Sequence, residues 1–369
     1  MDADVIVVGG GVVGAALAYG AAKKGRRVVV LDGDDSDLRA ARANFGLVWV
    51  QGKGAKMPAY SRLSLQSSDM WRAFHEELTA VADMHIDYGR PGGLIYCLGD
   101  DEYTARLDLN ARMHNQNSRI RTEMIERHQL DRLLPAVTLG TEVVGASYCE
   151  QDGHVNPLQL LVALHRAVLS HGGKVLFRHP VQRIAPVGSG FEVHTLKSRH
   201  QAPRVIVAAG LATPFLTRPL GLAMPLRSER GQLLVTERVK PCLPFPGSGL
   251  RQTADGTLMI GATKEDASDR GVTVASATNL ALRATRIFPA LAQARLVRQW
   301  SGFRVMPEDG APIYAESRDY PGLFAAACHS GVTLAAAHTE IVASAMLEGR
   351  LAADMGAFSS GRFDVQKCA

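Results

Sequence analysis

Two groups of residues in this chain have the types and spacing to do chemistry. The first is Gly9-Gly10-Gly11-Val12-Val13-Gly14, which fits G-x-G-x-x-G at Gly9, Gly11 and Gly14 and is followed by Asp32. Asp32 stands near the ~20-residue separation at which an acid meets a ribose diol in a dinucleotide-binding unit. Gly9 permits a tight turn. Gly11 lets the backbone approach a pyrophosphate at a helix N-terminus, and Gly14 lets helix and strand pack closely. A carboxylate at Asp32 would repel a 2′-phosphate, which argues against NADP. The second group is Arg304, within the apolar run Gln299–Pro307, and His329, within Cys328–Leu334. A guanidinium among apolar neighbours needs a partner, because a buried unpaired charge is costly. A ligand carboxylate would supply two parallel hydrogen bonds. An ion pair to Glu308 or Asp309 would serve equally, and the residues alone leave both open. Arg62, Arg90 and Arg251 are weaker candidates. His329 is a candidate base.

These residues need elements to position them. Asp4–Val8 reads as a buried strand, Val13–Lys24 as a helix stopped by Gly25, and Arg27–Leu31 as a second buried strand ending at Asp32. Gln151–Val181 reads as a turn, a helix over Pro157–Ser170 and a strand, with Pro157 suited to a first helical turn. Arg204–Gly210 reads as a strand ending in small residues that admit a cofactor close to backbone. Phe324–Ala327 reads as the last strand of the nucleotide domain, returning beside the first. Its turn, Cys328–Leu334, would face the cofactor. The helical patterns Pro58–Leu78, Glu102–Asn117 and Asn279–Phe288 lie outside this scheme. So do the strand patterns Gly231–Thr236, Leu250–Thr253 and Thr257–Ile260, the last two joined at Asp255-Gly256, a hairpin signal. The fold class expected is α/β, α+β overall. A Rossmann-like nucleotide domain (1–46, 149–214 and 301–369) is interleaved with a mainly antiparallel-sheet substrate domain (47–148 and 215–300). The tail after Gly356 reads as loosely ordered.

Composition sets the limits. The 369 residues are 46% hydrophobic and 21% charged, with a formal net charge of +5. The Lys and Arg residues are scattered and not interleaved with aromatics, so nucleic acid is not an expected partner. The five cysteines form no C-x-x-C pair, which fits a reducing compartment such as the cytoplasm. No apolar run reaches the ~18 residues a spanning helix needs, and no signal-peptide pattern opens the chain. The twelve histidines show no paired-ligand spacing, so no metal is expected.

The order of the motifs resembles the D-amino-acid oxidase superfamily of FAD enzymes, glycine and sarcosine oxidases included. Its D-G-x-x-x-P motif resembles Asp152-Gly153-His154-Val155-Asn156-Pro157. Its adenine-contacting valine resembles Val181, and its A-x-G strand end resembles Ala208-Ala209-Gly210. Its G-x-R-x-x-x-x-D-G-x-P segment resembles Gly302, Arg304, Asp309, Gly310 and Pro312. More narrowly, Asn44–Gln51, Arg90–Leu94 and Cys328–Ala335 resemble the FAD-bearing B subunits of opine oxidases, relatives of hydroxyproline dehydrogenase flavin subunits.

The resemblance implies FAD, held without a covalent bond. The windows in which relatives attach it, 302–310 and 41–46, lack the required Cys and His. It implies cofactor contacts at Gly9, Gly11, Val12, Val13, Gly14, Asp32, Asn44, Phe45, Gly46, Val181, Ala209, Gly210, Gly302, Ser330, Gly331, Val332, Thr333 and Leu334. It implies that Arg304 binds the carboxylate of a small amine substrate. Family members often need no acid–base residue, because a neutral amine transfers hydride to flavin N5; His329 would then chiefly contact the cofactor. Relatives commonly have Gly where Cys328 stands, and the thiol is read as filling space. Partner subunits carrying redox centres are implied, with peripheral membrane association through an electron acceptor. Two other readings remain: a non-catalytic flavin relay subunit, and a NAD-dependent dehydrogenase.

Overall fold

The computed structural model describes residues 1–33, 40–41 and 43–364. Arg42, inside the 41–46 window, and Cys368 lie outside the described residues. One sheet of six strands runs in the order Ile313–Glu316, Leu323–Ala327, Arg204–Val207, Val5–Val8, Val28–Leu31, Lys174–Leu176. All neighbours are parallel except the first pair. Its strands are apolar on both faces because both faces are covered. Val5, Val7, Val30, Ile206 and Ala326 pack under helices Val12–Lys23 and Pro157–Ser170 and the helical run that begins at Ala335. The alternating residues Ile6, Val8, Val29, Val205 and Ala325 pack under a meander, Val181–Val187, Gly190–Thr195 and Arg199–Ala202. The period of two along each strand thus feeds two separate cores.

The expected helix Pro157–Ser170 forms, with Pro157 in its first turn and the Asn156 side chain accepting the Leu158 and Gln159 N–H groups. The first helix runs Val12–Lys23, and Gly25 follows at φ +74°. The strand Leu323–Ala327 is not beside the first strand. Arg204–Val207 stands between them, pairing with Val5–Val8 on one edge and with Leu323–Ala325 on the other. Its almost complete burial is that of a strand with neighbours on both edges. The tail is held as far as residue 363. Phe358 is buried against Tyr314, and Arg362 pairs with Asp309 at 2.8 Å. One aromatic anchor and one ion pair order what composition reads as loose.

A second sheet is antiparallel, in the order Leu250–Gln252, Thr257–Gly261, Leu226–Arg238, Leu296–Pro307. The hairpin turn places Gly256 at φ +88°. A bridge from Leu94 to Gly247 links it to the strands Gly93–Leu98, Val143–Cys149 and Thr122–Glu126. Helix Val274–Ile287 packs on this side. Two elements bear on where the two layers meet. Residue 301 falls inside the strand Leu296–Pro307, which pairs continuously with its neighbour from Arg298 to Pro307, so Arg304 belongs to the antiparallel sheet. Helix Pro58–Ala82 buries Tyr60, Leu63, Trp71, Phe74 and Leu78 in the core of the parallel sheet, because its apolar stripe faces that layer.

Candidate active site

Between the two sheets lies a cavity of about 980 Å³. One end is built on the first strand–turn–helix. Gly9 sits at φ +103°, and a β-carbon there would come 2.4 Å from the Ala208 carbonyl oxygen. On Gly14 a β-carbon would come 1.9 Å from the Gly9 oxygen and 3.3 Å from Ala208 Cβ. The glycines therefore let the turn and helix press against the Arg204–Val207 strand end. On Gly11, by contrast, a β-carbon would meet nothing within 4 Å. It would project into the open cavity at the start of helix Val12–Lys23. The Gly10 N–H donates to Asp32 Oδ1 at 2.8 Å, which fixes the carboxylate at the cavity wall. An open glycine, a helix N-terminus and a tethered acid are the parts a dinucleotide requires, so the residues present fit FAD.

The wall continues through Asn44, Phe45, Gly46, Val181, Ala209, Gly210 and Gly302. Asn44 Oδ1 accepts the Gly46 N–H at 2.8 Å, and its amide donates to the Ala40 and Ala41 carbonyls. On the far side Cys328, His329, Ser330, Gly331, Val332 and Thr333 form a turn that side chains fix in place. Thr333 Oγ1 accepts the Trp49 N–H, and the Thr333 carbonyl accepts from Ser67 and Trp71. Ser330 Oγ accepts from Tyr60 at 2.6 Å and from Lys53 at 2.7 Å. The helical run after the turn is brief before His338–Val342, which winds as a π-helix. Gly14 and Leu334 do not line the cavity. Gly14 is a packing position, and Leu334 is wholly buried in the core.

The other end is cationic. Arg304 is half-buried, and its Nη1 meets Glu229 Oε1 at 3.1 Å. The internal acid is thus the opposing residue on the paired strand, while Glu308 is not involved and Asp309 is taken by Arg362. Lys53, Lys264 and Arg270 also line the cavity. Burial first, then Lys53, Arg304 and Lys264, push the His329 imidazole down to about 3. His329 is exposed through the cavity, with Lys53, Arg304 and Lys264 acting on it, so a neutral imidazole faces any ligand. Burial pushes the Cys328 thiol up to about 12. Arg62, Arg90 and Arg251 lie off the cavity; Arg90 pairs with Asp69, and Arg251 is buried beside His154.

Sequence reasoning misses Trp49, Lys53, Tyr60 and Gly231. Lys53 carried a signal in Gly52-Lys53-Gly54: both glycines sit at positive φ, +73° and +72°. A β-carbon on Gly54 would come 2.2 Å from the Ser61 nitrogen. The loop is thereby pressed onto the start of helix Pro58–Ala82 with its lysine turned to the cavity. Asp152, from the D-G-x-x-x-P motif, does not line the cavity. It is wholly buried, accepts from Val50 N–H and Gln51 Nε2, and is pushed up to about 7 by burial.

The model of the FAD-dependent oxidoreductase (DAO) family matches residues 4–345. The chain belongs to that family. It is 42% identical to the opine oxidase B subunit from Agrobacterium tumefaciens (strain Ach5), covering 99% of both chains. It is 28% identical to glycine oxidase from Geobacillus kaustophilus (strain HTA426), covering 97% of both. The crystal structure of glycine oxidase from Geobacillus kaustophilus superimposes with a TM-score of 0.84 at 27% identity, covering 94% of this chain and 95% of that one. The protein is therefore an FAD-dependent oxidoreductase whose fold joins a Rossmann-like layer to an antiparallel sheet. No helix among the described residues is long and apolar enough to cross a membrane.

Proposed function

We propose that the chain oxidises the C–N bond of an amino acid or N-substituted amino acid, of the D-amino acid, D-hydroxyproline or opine type. The observation that carries this is Arg304, a guanidinium at the cationic end of the cavity whose other end fits a dinucleotide. Glu229 occupies only part of its donor set, and a substrate carboxylate is the natural partner for the rest. Bound FAD supplies the two-electron acceptor. The substrate carbon loses hydride, its nitrogen lone pair closes a C=N bond, and water hydrolyses the imine to an oxo acid and an amine.

That chemistry needs the lone pair, so the amine must react unprotonated. Lys53, Lys264 and Arg304 together disfavour an ammonium beside His329, as they disfavour an imidazolium there. In this reading His329 stays neutral and orients the substrate or cofactor, and the residues placed above along Gly9–Gly14, Asn44–Gly46 and Ser330–Thr333 hold FAD. Two relatives, the opine oxidase B subunit and the HcnC subunit of hydrogen cyanide synthase, are named as parts of larger assemblies. That supports an assembly with partner subunits as electron acceptors. Cytoplasmic residence, with any membrane association made through such a partner, belongs to the same reading.

The test is anaerobic bleaching of the flavin. Purified chain is mixed with D-amino acids, D-hydroxyproline, sarcosine, and octopine- and nopaline-type opines. Bleaching by one of them, lost in Arg304→Ala with FAD retained, is the expected result. Unchanged turnover in Arg304→Ala sinks the carboxylate role. If the chain alone stays yellow while its assembly is bleached, the relay reading replaces this one.

A further inference from the structure

The Lys53 side chain is part-buried in the cavity wall, where its ammonium donates a hydrogen bond to Ser330 Oγ at 2.7 Å. An ammonium carries three donors, so one such bond leaves most of its capacity unused. The acid that Lys53 feels most is Asp152, whose oxygens are held by Val50 N–H at 2.5 Å and Gln51 Nε2 at 2.7 Å. The other charged groups around it, Lys264 and Arg304, are of its own sign. Pinning Ser330 does not need a charge; an amide would do it without burying one. A part-buried cation that faces a cavity and is short of an anion calls for a ligand that brings one.

We infer that Lys53 is a specificity-determining residue that receives a second negative group of the substrate, while Arg304 takes the first. This rests on the proposed oxidation of a carboxylate-bearing amine and assigns it a residue. The two cations reach the cavity from different layers, Lys53 from the loop before helix Pro58–Ala82 and Arg304 from the antiparallel sheet. A ligand spanning them is thus clamped between the layers, with its nitrogen between its two anionic ends. Lys264 is exposed at the cavity mouth, where water screens it, and contributes less.

Iminodiacetate and sarcosine make the matched pair, since they differ by one carboxylate. Holoenzyme is mixed with each anaerobically, and apparent dissociation constants are read from the flavin reduction rates. The expected result is a preference for iminodiacetate of about tenfold or more. In Lys53→Met that factor disappears, read as the ratio of the two constants so that any change common to both amines cancels. Lys53→Gln, which keeps a donor for Ser330, should lose the preference too, and Lys53→Arg should keep most of it. FAD content and melting temperature identify any variant that misfolds. A folded Lys53→Met or Lys53→Gln enzyme with the wild-type preference overturns the inference, as does a wild type that shows none. If neither amine reduces the flavin, the oxidation reading has failed separately. The anchor is then read from flavin absorbance on titration with succinate against propionate. Preference for succinate lost in Lys53→Gln supports it, and equal affinities in wild type overturn it.

Discussion

The Arg304 guanidinium lies across the bare backbone of Gly231. A β-carbon on Gly231 would come 2.7 Å from Nη2 and 2.8 Å from Nη1. Gly231 pairs with Gly302 in the register, so two glycines face each other two positions from the Arg304–Glu229 pair, with Arg230 and Phe303 between. The missing side chain is what allows the guanidinium to lie flat at the cavity wall. Gly231→Ala should displace that group, which is the mobile end of a long side chain, and leave the sheet intact. Losing a charge-assisted hydrogen bond worth about 1.5–3 kcal/mol predicts a drop of roughly 10- to 100-fold in kcat/KM on a carboxylate substrate. FAD content should not change. Steady-state kinetics beside the flavin-to-protein absorbance ratio checks both, and joint loss of flavin and activity would contradict it.

Gly11 and Gly14 belong to one motif but should fail differently. Gly11→Val adds atoms where nothing stands within 4 Å, so the fold should survive and FAD binding should not. Gly14→Ala forces a β-carbon to 1.9 Å from the Gly9 oxygen. Overpacking of this kind costs about 1–3 kcal/mol, and the apo-protein itself should melt earlier. Apo melting temperatures and FAD titration separate the two. Equal apo stabilities would show that the turn relaxes at Gly14.

The contrast between these glycines marks what a sequence can reveal. The strand, turn, helix and acid of residues 4–32 constrain one another locally, so their purpose is legible from spacing. Arg304 stood out by its apolar surroundings, yet its acid partner did not, because Glu229 lies 75 positions away and meets it only through strand register. Gly231 looked like the start of an ordinary strand for the same reason. Lys53 was hidden twice over. Its burial comes from a loop folded onto a helix of the other layer, and its contact, Ser330, is 277 positions distant. Strand order escaped as well, since the apolar strands of a doubly covered sheet differ little in composition.

Cys328 should behave as filler. Burial holds its thiol at about 12, so almost no thiolate exists at neutral pH. The native holoenzyme should resist iodoacetamide at pH 7.5, with mass spectrometry finding Cys328 unmodified. Cys328→Ala should keep FAD and turnover and lose about 1 kcal/mol or less of stability. Rapid alkylation of Cys328 with loss of activity would instead mark a reactive thiol.

Lys53 makes the site sensitive to alkaline pH, with a definite sign. Burial above all lowers its ammonium from 10.5 to about 8, against the raising influence of Cys328 and Asp152 and with a smaller lowering by Lys264 and Arg304. A second carboxylate needs the protonated form, so its binding should weaken as pH climbs through about 8. The iminodiacetate-to-sarcosine preference should fall towards unity by pH 10 in wild type and stay flat in Lys53→Met. Stability runs the other way. Between about 8 and 10.5 the unfolded chain holds a proton here that the folded chain has released, so this group's contribution to stability rises with pH across that window. Below about 8 the folded protein carries a desolvated charge. Lys53→Met should therefore raise the melting temperature relative to wild type more at pH 7 than at pH 10. A difference independent of pH would mean that the ammonium is solvated in the folded protein and free of the burial inferred for it.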